Sequence, residues 1–167
     1  RYIGRTFIMP EDSERRESIN QKLNPISSVF RDQNVLLVDD SIVRGNTSRA
    51  IVQMVRDSKA KKIFFASYSS PLTNPCLYGI DMQTKGEFIA ANASDEEIAN
   101  KLGADLVIYQ DIKDMEQAVR VQNKKIKSFC KACFNGIYPT GDISTEMLTQ
   151  IEKDRENNIR KKSQSTT

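Results

Sequence analysis

The sequence predicts an α/β fold, a mostly parallel sheet flanked by helices, and three features carry that expectation. Val35-Leu36-Leu37-Val38 is an uninterrupted apolar run closed at once by Asp39, Asp40 and Ser41, the pattern of a strand buried on both faces of a parallel sheet. A turn containing Gly45 follows, and then a helical pattern through Ala50, Ile51, Met54 and Val55. Two further apolar runs, at 63–68 and 106–109, repeat the strand signal with helical patterns near them, as expected of strands joined by helical crossovers.

Composition bounds the class. The chain has 167 residues, 38% of them hydrophobic and 28% charged, enough for one globular domain with a core. No apolar stretch approaches the ~20 residues of a spanning helix. There is no basic-then-apolar leader, and three cysteines are too few and oddly numbered for a secreted disulfide framework. A soluble, cytoplasmic protein is expected. The net charge of +3 equals the contribution of Arg160, Lys161 and Lys162 alone, and without a clustered basic face no nucleic-acid partner is expected. The chain contains no histidine, which excludes a histidine base, a Ser-His-Asp triad or a histidine metal ligand within it.

In chain order, residues 1–34 open with the apolar patch Phe7-Ile8-Met9 and continue through Asp12, Glu14, Arg15, Arg16 and Glu17. This polar run reads by itself as a solvated surface helix over about 10–23. Residues 35–141 form the core of the domain. After its first strand and helix, a basic turn at 59–62 leads into the second strand, and Ser69, Ser70, Pro71, Asn74 and Pro75 make a long loop at that strand's end. The stretches 78–81 and 88–91 suit a turn and a short helix or strand. Ser94-Asp95-Glu96-Glu97 is a capping box and Gly103 a helix terminator. A third strand at 106–109 precedes an amphipathic helix over 111–121, and 129–140 is irregular. A last helix spans 144–160, within a C-terminal segment of 142–160, and 161–167 is expected to be a disordered tail.

The chemistry gathers at the carboxyl end of the first strand, where open α/β sheets bind ligands. Gly45 lets the backbone approach a bound group, Ser41, Thr47 and Ser48 offer hydroxyl donors, and Arg44 adds charge. With the helix start behind them, these residues describe a phosphate cradle. Carboxylates repel phosphate, so Asp39 and Asp40 suit sugar hydroxyls, or a magnesium ion held mainly by the ligand's own phosphates. A phosphorylated sugar satisfies both halves. Strand neighbours face opposite ways, so one carboxylate touches ligand while the other supports the loop.

Val38-Asp39-Asp40-Ser41-Ile42-Val43-Arg44-Gly45 resembles the phosphoribosyl pyrophosphate (PRPP) signature of type I phosphoribosyltransferases and, more narrowly, the form found in the glutamine PRPP amidotransferase family. Residues 1–10 (Arg-Tyr-Ile-Gly-Arg-Thr-Phe-Ile-Met-Pro), 78–81 (Tyr-Gly-Ile-Asp), 98–105 ending in Gly-Ala-Asp, and Phe134-Asn135-Gly136 with Tyr138-Pro139-Thr140 are similar to the same family. Asn46 departs from it, since threonine is common there. The resemblance runs from residue 1 to about 152.

It implies a type I phosphoribosyltransferase-like domain, incomplete at its N-terminus, from an enzyme that converts PRPP and glutamine to 5-phosphoribosylamine, glutamate and pyrophosphate at the start of purine synthesis. Residues 41–47 (Ser41, Ile42, Val43, Arg44, Gly45, Asn46 and Thr47) would hold the 5-phosphate. Asp39 and Asp40 would be the catalytic carboxylates and approach magnesium. Residues 1–34 would be a mobile lid over PRPP, with Tyr2, Arg5 and Thr6 at matching positions. Implied partners are PRPP, ammonia from glutamine, purine nucleotide inhibitors, further subunits of a homo-oligomer and an N-terminal glutaminase domain. Without that domain and the pyrophosphate loop, the chain alone is expected to be inactive.

Cys130-Lys131-Ala132-Cys133 is a CxxC, and Cys76 stands apart; in general such a set is a metal half-site, a redox pair or chance. Some members of the family hold a [4Fe-4S] cluster, and these cysteines resemble three of its ligands, with a fourth expected upstream of Arg1. Idle or buried thiols are the other reading.

Two other functions compete. A non-catalytic phosphoribosyltransferase-like module sensing PRPP or a purine nucleotide would keep the fold, but has no need of the lid motif. A response-regulator receiver shares the acidic pair, yet Gly45-Asn46 breaks the helix such a domain starts there. A ligand-free strand end is a poor reading, because adjacent carboxylates at a buried edge are costly without partners.

Overall fold

Three parallel strands in the order β1-β2-β3 form the sheet, in a computed structural model that describes residues 25–79 and 85–164. A single turn, α1 (Ser27–Phe30), leads into β1 (Asn34–Asp39), α2 (Asn46–Asp57) and β2 (Lys62–Ser67). A 3-10 turn at Lys85–Glu87 precedes α3 (Asp95–Leu102), β3 (Leu106–Tyr109), α4 (Ile112–Arg120), the short α5 (Ala132–Asn135) and α6 (Thr145–Gln164). The lid positions Tyr2, Arg5 and Thr6 and the helix expected over 10–23 lie outside the described residues.

Local chemistry explains the helix ends. Ser94 accepts from the Glu97 amide while Glu97 Oε2 accepts from the Ser94 amide, the reciprocal capping box expected, and Gly103 closes α3 at a φ of 78°. Asp111 caps α4 by accepting from the Lys113 and Asp114 amides. Helix α6 runs on through Lys161 and Lys162 to Gln164, so 161–164 is helix where a disordered tail was expected. Residues 165–167 fall outside the described residues.

Helices α2 and α3 pack together against one face of the sheet. Ile63 and Phe65 from β2 meet Val52 of α2 and Ile98 and Leu102 of α3, all 1% exposed or less. Arginines of α2 tie the two helices at the surface: Arg49 donates to the Lys101 carbonyl at 2.9 Å, and Arg56 to the Gly103 carbonyl at 2.8 Å. Arg56 also meets Asp105 at 2.9 Å, and Asp105 accepts the amide of Ile63 at 2.8 Å, which sets where β3 joins β2.

The opposite face departs from the expectation of a strand buried on both sides. Leu36 and Val38 are 58% and 68% exposed, and Leu106 and Ile108 are 47% and 46% exposed. β1 therefore alternates exposed and half-buried residues. An apolar run reports that both faces can be covered, but the cover must come from another layer, and among the described residues the helices packed on the sheet lie on one side.

Candidate functional site

The parallel register brings three strand ends together, since Asp39 pairs with Ser67 and Ser67 with Tyr109. The Tyr68 and Ser69 amides then donate to the Asp39 and Asp40 carbonyls, both at 2.9 Å, carrying the pairing past the end of β1. Buried Ser70 donates to the Gln110 carbonyl at 2.7 Å and pins the long loop to the end of β3. The rim is thus built by backbone bonds and the Ser70 hydroxyl.

The acidic pair divides as strand alternation requires. Asp39 falls on the half-buried side of β1 and Asp40 is exposed. Burial, assisted by the neighbouring Asp40 charge, holds the Asp39 carboxyl above the usual carboxylate range, against the lowering effect of the Asp40 amide that donates to it at 2.9 Å. Asp40 Oδ1 accepts from the Ser41 hydroxyl at 2.9 Å. One oxygen of each carboxylate thus has a protein donor.

From Ser41 to Thr47 the chain turns from strand into helix. Gly45 is the N-cap of α2 at a φ of 80°, with no side-chain cap bond, so the start of the helix presents backbone rather than a competing carboxylate or hydroxyl. A Cβ on Gly45 would lie 2.6 Å from Ile89 Cδ1 and 2.9 Å from Leu102 Cδ2. Glycine is required here both for its left-handed backbone and for the closeness of its neighbours. The Ile89 amide donates to the Val43 carbonyl at 2.9 Å, fixing the middle of the turn.

Four residues of the turn and helix start are engaged by the rest of the fold. Ile42 is 1% exposed and belongs to the core, so it anchors the turn and only its backbone is left for the cradle. Val43 spends its carbonyl on Ile89. Arg44 meets Glu87 at 2.9 Å, so its charge is offset by a carboxylate rather than standing alone beside an anion. Ser48 is 3% exposed, which removes its hydroxyl from the cradle's surface. Asp39, Asp40, Ser41, Gly45, Asn46 and Thr47 do share the turn at the carboxyl edge of β1.

The bracing by Glu87 and Ile89 was not visible in the sequence. These residues lie more than 40 positions from the turn, and no local pattern marks them. Tyr109, at the end of β3, was likewise read only as a strand residue. Its hydroxyl is buried without a hydrogen-bond partner among the described residues, and burial, then the Asp95 charge, pushes it up to about 12.

The cysteines lie elsewhere. Cys133 is half-buried, and burial raises its thiol, with smaller contributions from Cys76 and Cys130. Its carbonyl accepts the Thr73 and Asn74 amides, both at 3.0 Å, so the CxxC segment is stitched to the loop after β2. Among the described residues, no three histidine, cysteine, aspartate or glutamate side chains are placed to hold a metal ion. Cys76 and Cys130 are near enough for their charges to act on Cys133, and Asp39 and Asp40 would approach magnesium only as a supplement to a ligand's own oxygens.

The parallel sheet, the helices on its face and the acidic turn at its carboxyl edge are those of a type I phosphoribosyltransferase-like domain. The structure is similar to glutamine PRPP amidotransferase from B. subtilis complexed with ADP and GMP, with a TM-score of 0.64 and 37% identity, over 83% of this chain and 31% of that one. The chain is 48% identical over 162 residues to amidophosphoribosyltransferase of Haemophilus influenzae and 50% identical over 162 residues to that of Pasteurella multocida. In each case 97% of this chain is covered, and it spans about a third (32%) of the length of these curated relatives. Over nearly its whole length the chain is similar to the C-terminal part of amidophosphoribosyltransferases. No family model matches it.

Proposed function

We propose that this chain is the phosphoribosyl-binding part of an amidophosphoribosyltransferase. The observation that carries the reading is the turn from Asp39 to Thr47: a carboxylate pair at the end of a parallel strand, then a left-handed Gly45 opening a helix. Residues 41–47 hold the 5-phosphate of PRPP through backbone amides and the Thr47 hydroxyl, which the Ser41 hydroxyl joins once it turns away from Asp40 Oδ1. Asp39 or Asp40 accepts hydrogen bonds from the ribose hydroxyls and places negative charge beside the ring. That charge favours a transition state in which the anomeric carbon becomes cationic.

In the complete reaction, ammonia released from glutamine attacks the anomeric carbon with its lone pair. The bond to pyrophosphate breaks, pyrophosphate departs with the electron pair, and the new ammonium loses a proton to give phosphoribosylamine. Magnesium, bound chiefly by PRPP itself and approached by Asp39 and Asp40, would neutralise the leaving group. The work assigned to this chain is positioning and electrostatics. A 5′-nucleotide carries the same phosphate and ribose, so purine nucleotides would compete at residues 41–47; the B. subtilis neighbour complexed with ADP and GMP supports that partner class.

Calorimetric titration of the chain with PRPP and magnesium, beside an Asp39→Asn, Asp40→Asn double variant, tests the assignment. Binding that the variant loses supports it. Equal binding by both would move the site elsewhere, and no binding by a folded wild-type chain would mean that residues 35–48 are not sufficient for it.

A further inference from the structure

The turn from Ser41 to Thr47 is fastened to one short segment, and Glu87 supplies the charged fastening. Three contacts converge within three residues of that segment. Glu87 Oε1 meets the Arg44 guanidinium at 2.9 Å, with the two side chains 34% and 25% exposed. The Ile89 amide donates to the Val43 carbonyl at 2.9 Å, and Ile89 Cδ1 would lie 2.6 Å from a Cβ added to Gly45. The second oxygen of Glu87 is buried with no hydrogen-bond partner among the described residues. A carboxylate half out of water with one oxygen unsatisfied is costly, and its return here is the hold it gives on Arg44.

We propose that Glu87 is a positioning residue for the phosphate turn: it draws Arg44 onto the 87–89 segment and so preforms the backbone from Val43 to Gly45 for a phosphate monoester. This rests on the reading of residues 41–47 as a phosphate site. It differs from the simpler view in which Arg44 itself neutralises the phosphate. A backbone cradle must be held in one shape to bind well, because ordering it at the moment of binding costs affinity. With Glu87 beside it, Arg44 adds no net charge, and its contribution is mechanical.

The test uses ribose 5-phosphate as probe, titrated into the full chain and its Glu87→Ala, Glu87→Gln, Arg44→Ala and Glu87→Ala, Arg44→Ala variants well below their unfolding temperatures. Each alanine variant should weaken binding roughly 5- to 20-fold, and the double variant no further, since both remove one shared contact. Glu87→Gln keeps an acceptor for the guanidinium and should bind within about 3-fold of wild type. If Glu87→Ala binds as well as or better than wild type while Arg44→Ala is weak, Arg44 contacts the phosphate and the proposal is wrong. Hydrogen exchange gives a readout independent of ligand. Glu87→Ala should speed exchange of the Ile89 amide by about 10-fold and leave Val107 in β3 unchanged; equal protection at Ile89 would also overturn the proposal. Failure of wild type to bind ribose 5-phosphate would count against the phosphate site alone, and the exchange result would still decide the role of Glu87.

Discussion

Gly45 and Ile89 stand so close that a methyl group on the glycine would lie 2.6 Å from Ile89 Cδ1. Two separate demands meet at this position, since Gly45 also has a φ of 80°. Gly45→Ala is expected to lose about 1–3 kcal/mol of stability in urea unfolding. The crowding atoms, Ile89 Cδ1 and Leu102 Cδ2, each end a flexible side chain and can move aside, so most of the loss should come from the backbone. Adding Ile89→Ala to Gly45→Ala should therefore not restore wild-type stability. Full restoration would assign the whole effect to crowding.

Asp39 should trade stability for function. Its folded carboxyl titrates above the ordinary range because of burial first. A raised folded value gives stability below the unfolded value of ~3.9 and loses it as pH rises through the folded one. Ionised Asp39 therefore opposes folding at neutral pH. Asp39→Asn should unfold at an equal or higher urea concentration than wild type near pH ~7, with the gain shrinking in acid, while PRPP binding weakens. A variant less stable than wild type at neutral pH would contradict this.

Asp105 has the opposite sign. The Ile63 amide is the main reason its carboxyl lies below the usual range, with Arg56 adding to the effect. Its contribution is present above the unfolded value of ~3.9 and disappears as pH falls through the lower folded value. Asp105→Ala should cost on the order of 1–2 kcal/mol at neutral pH by leaving the Ile63 amide unpaired. The gap to wild type should narrow in acid, and urea unfolding across that range checks it.

The bare sheet face should make the isolated chain associate with itself. Val38 and Ile108 stand 68% and 46% exposed on that face, and among the described residues β1 is an edge strand, the combination that invites pairing. Size-exclusion chromatography at rising concentration should show species larger than a monomer. A Val38→Lys, Ile108→Lys variant should shift them toward the monomer with unchanged circular dichroism. A wild-type chain that stays monomeric throughout would refute the prediction.

Much of this was legible in the order of residues. The apolar run 35–38 ending in Asp39-Asp40 marked a strand with a polar edge, Ser94 with Glu97 marked a helix start and Gly103 its end, and each is a local pattern read by local physics. Gly45 was legible as the pivot of the turn after β1 because only glycine is at ease at that backbone angle. The core position of Ile42, the pairing of Arg44 with Glu87, the seat of Gly45 on Ile89 and the open side of the sheet were not. Those depend on which distant segment arrives at the turn and on which layer covers each face. A one-dimensional pattern can state that a residue is apolar or charged and at what period. Only packing in three dimensions decides what it meets, because the energy of burial and of an ion pair belongs to both partners at once.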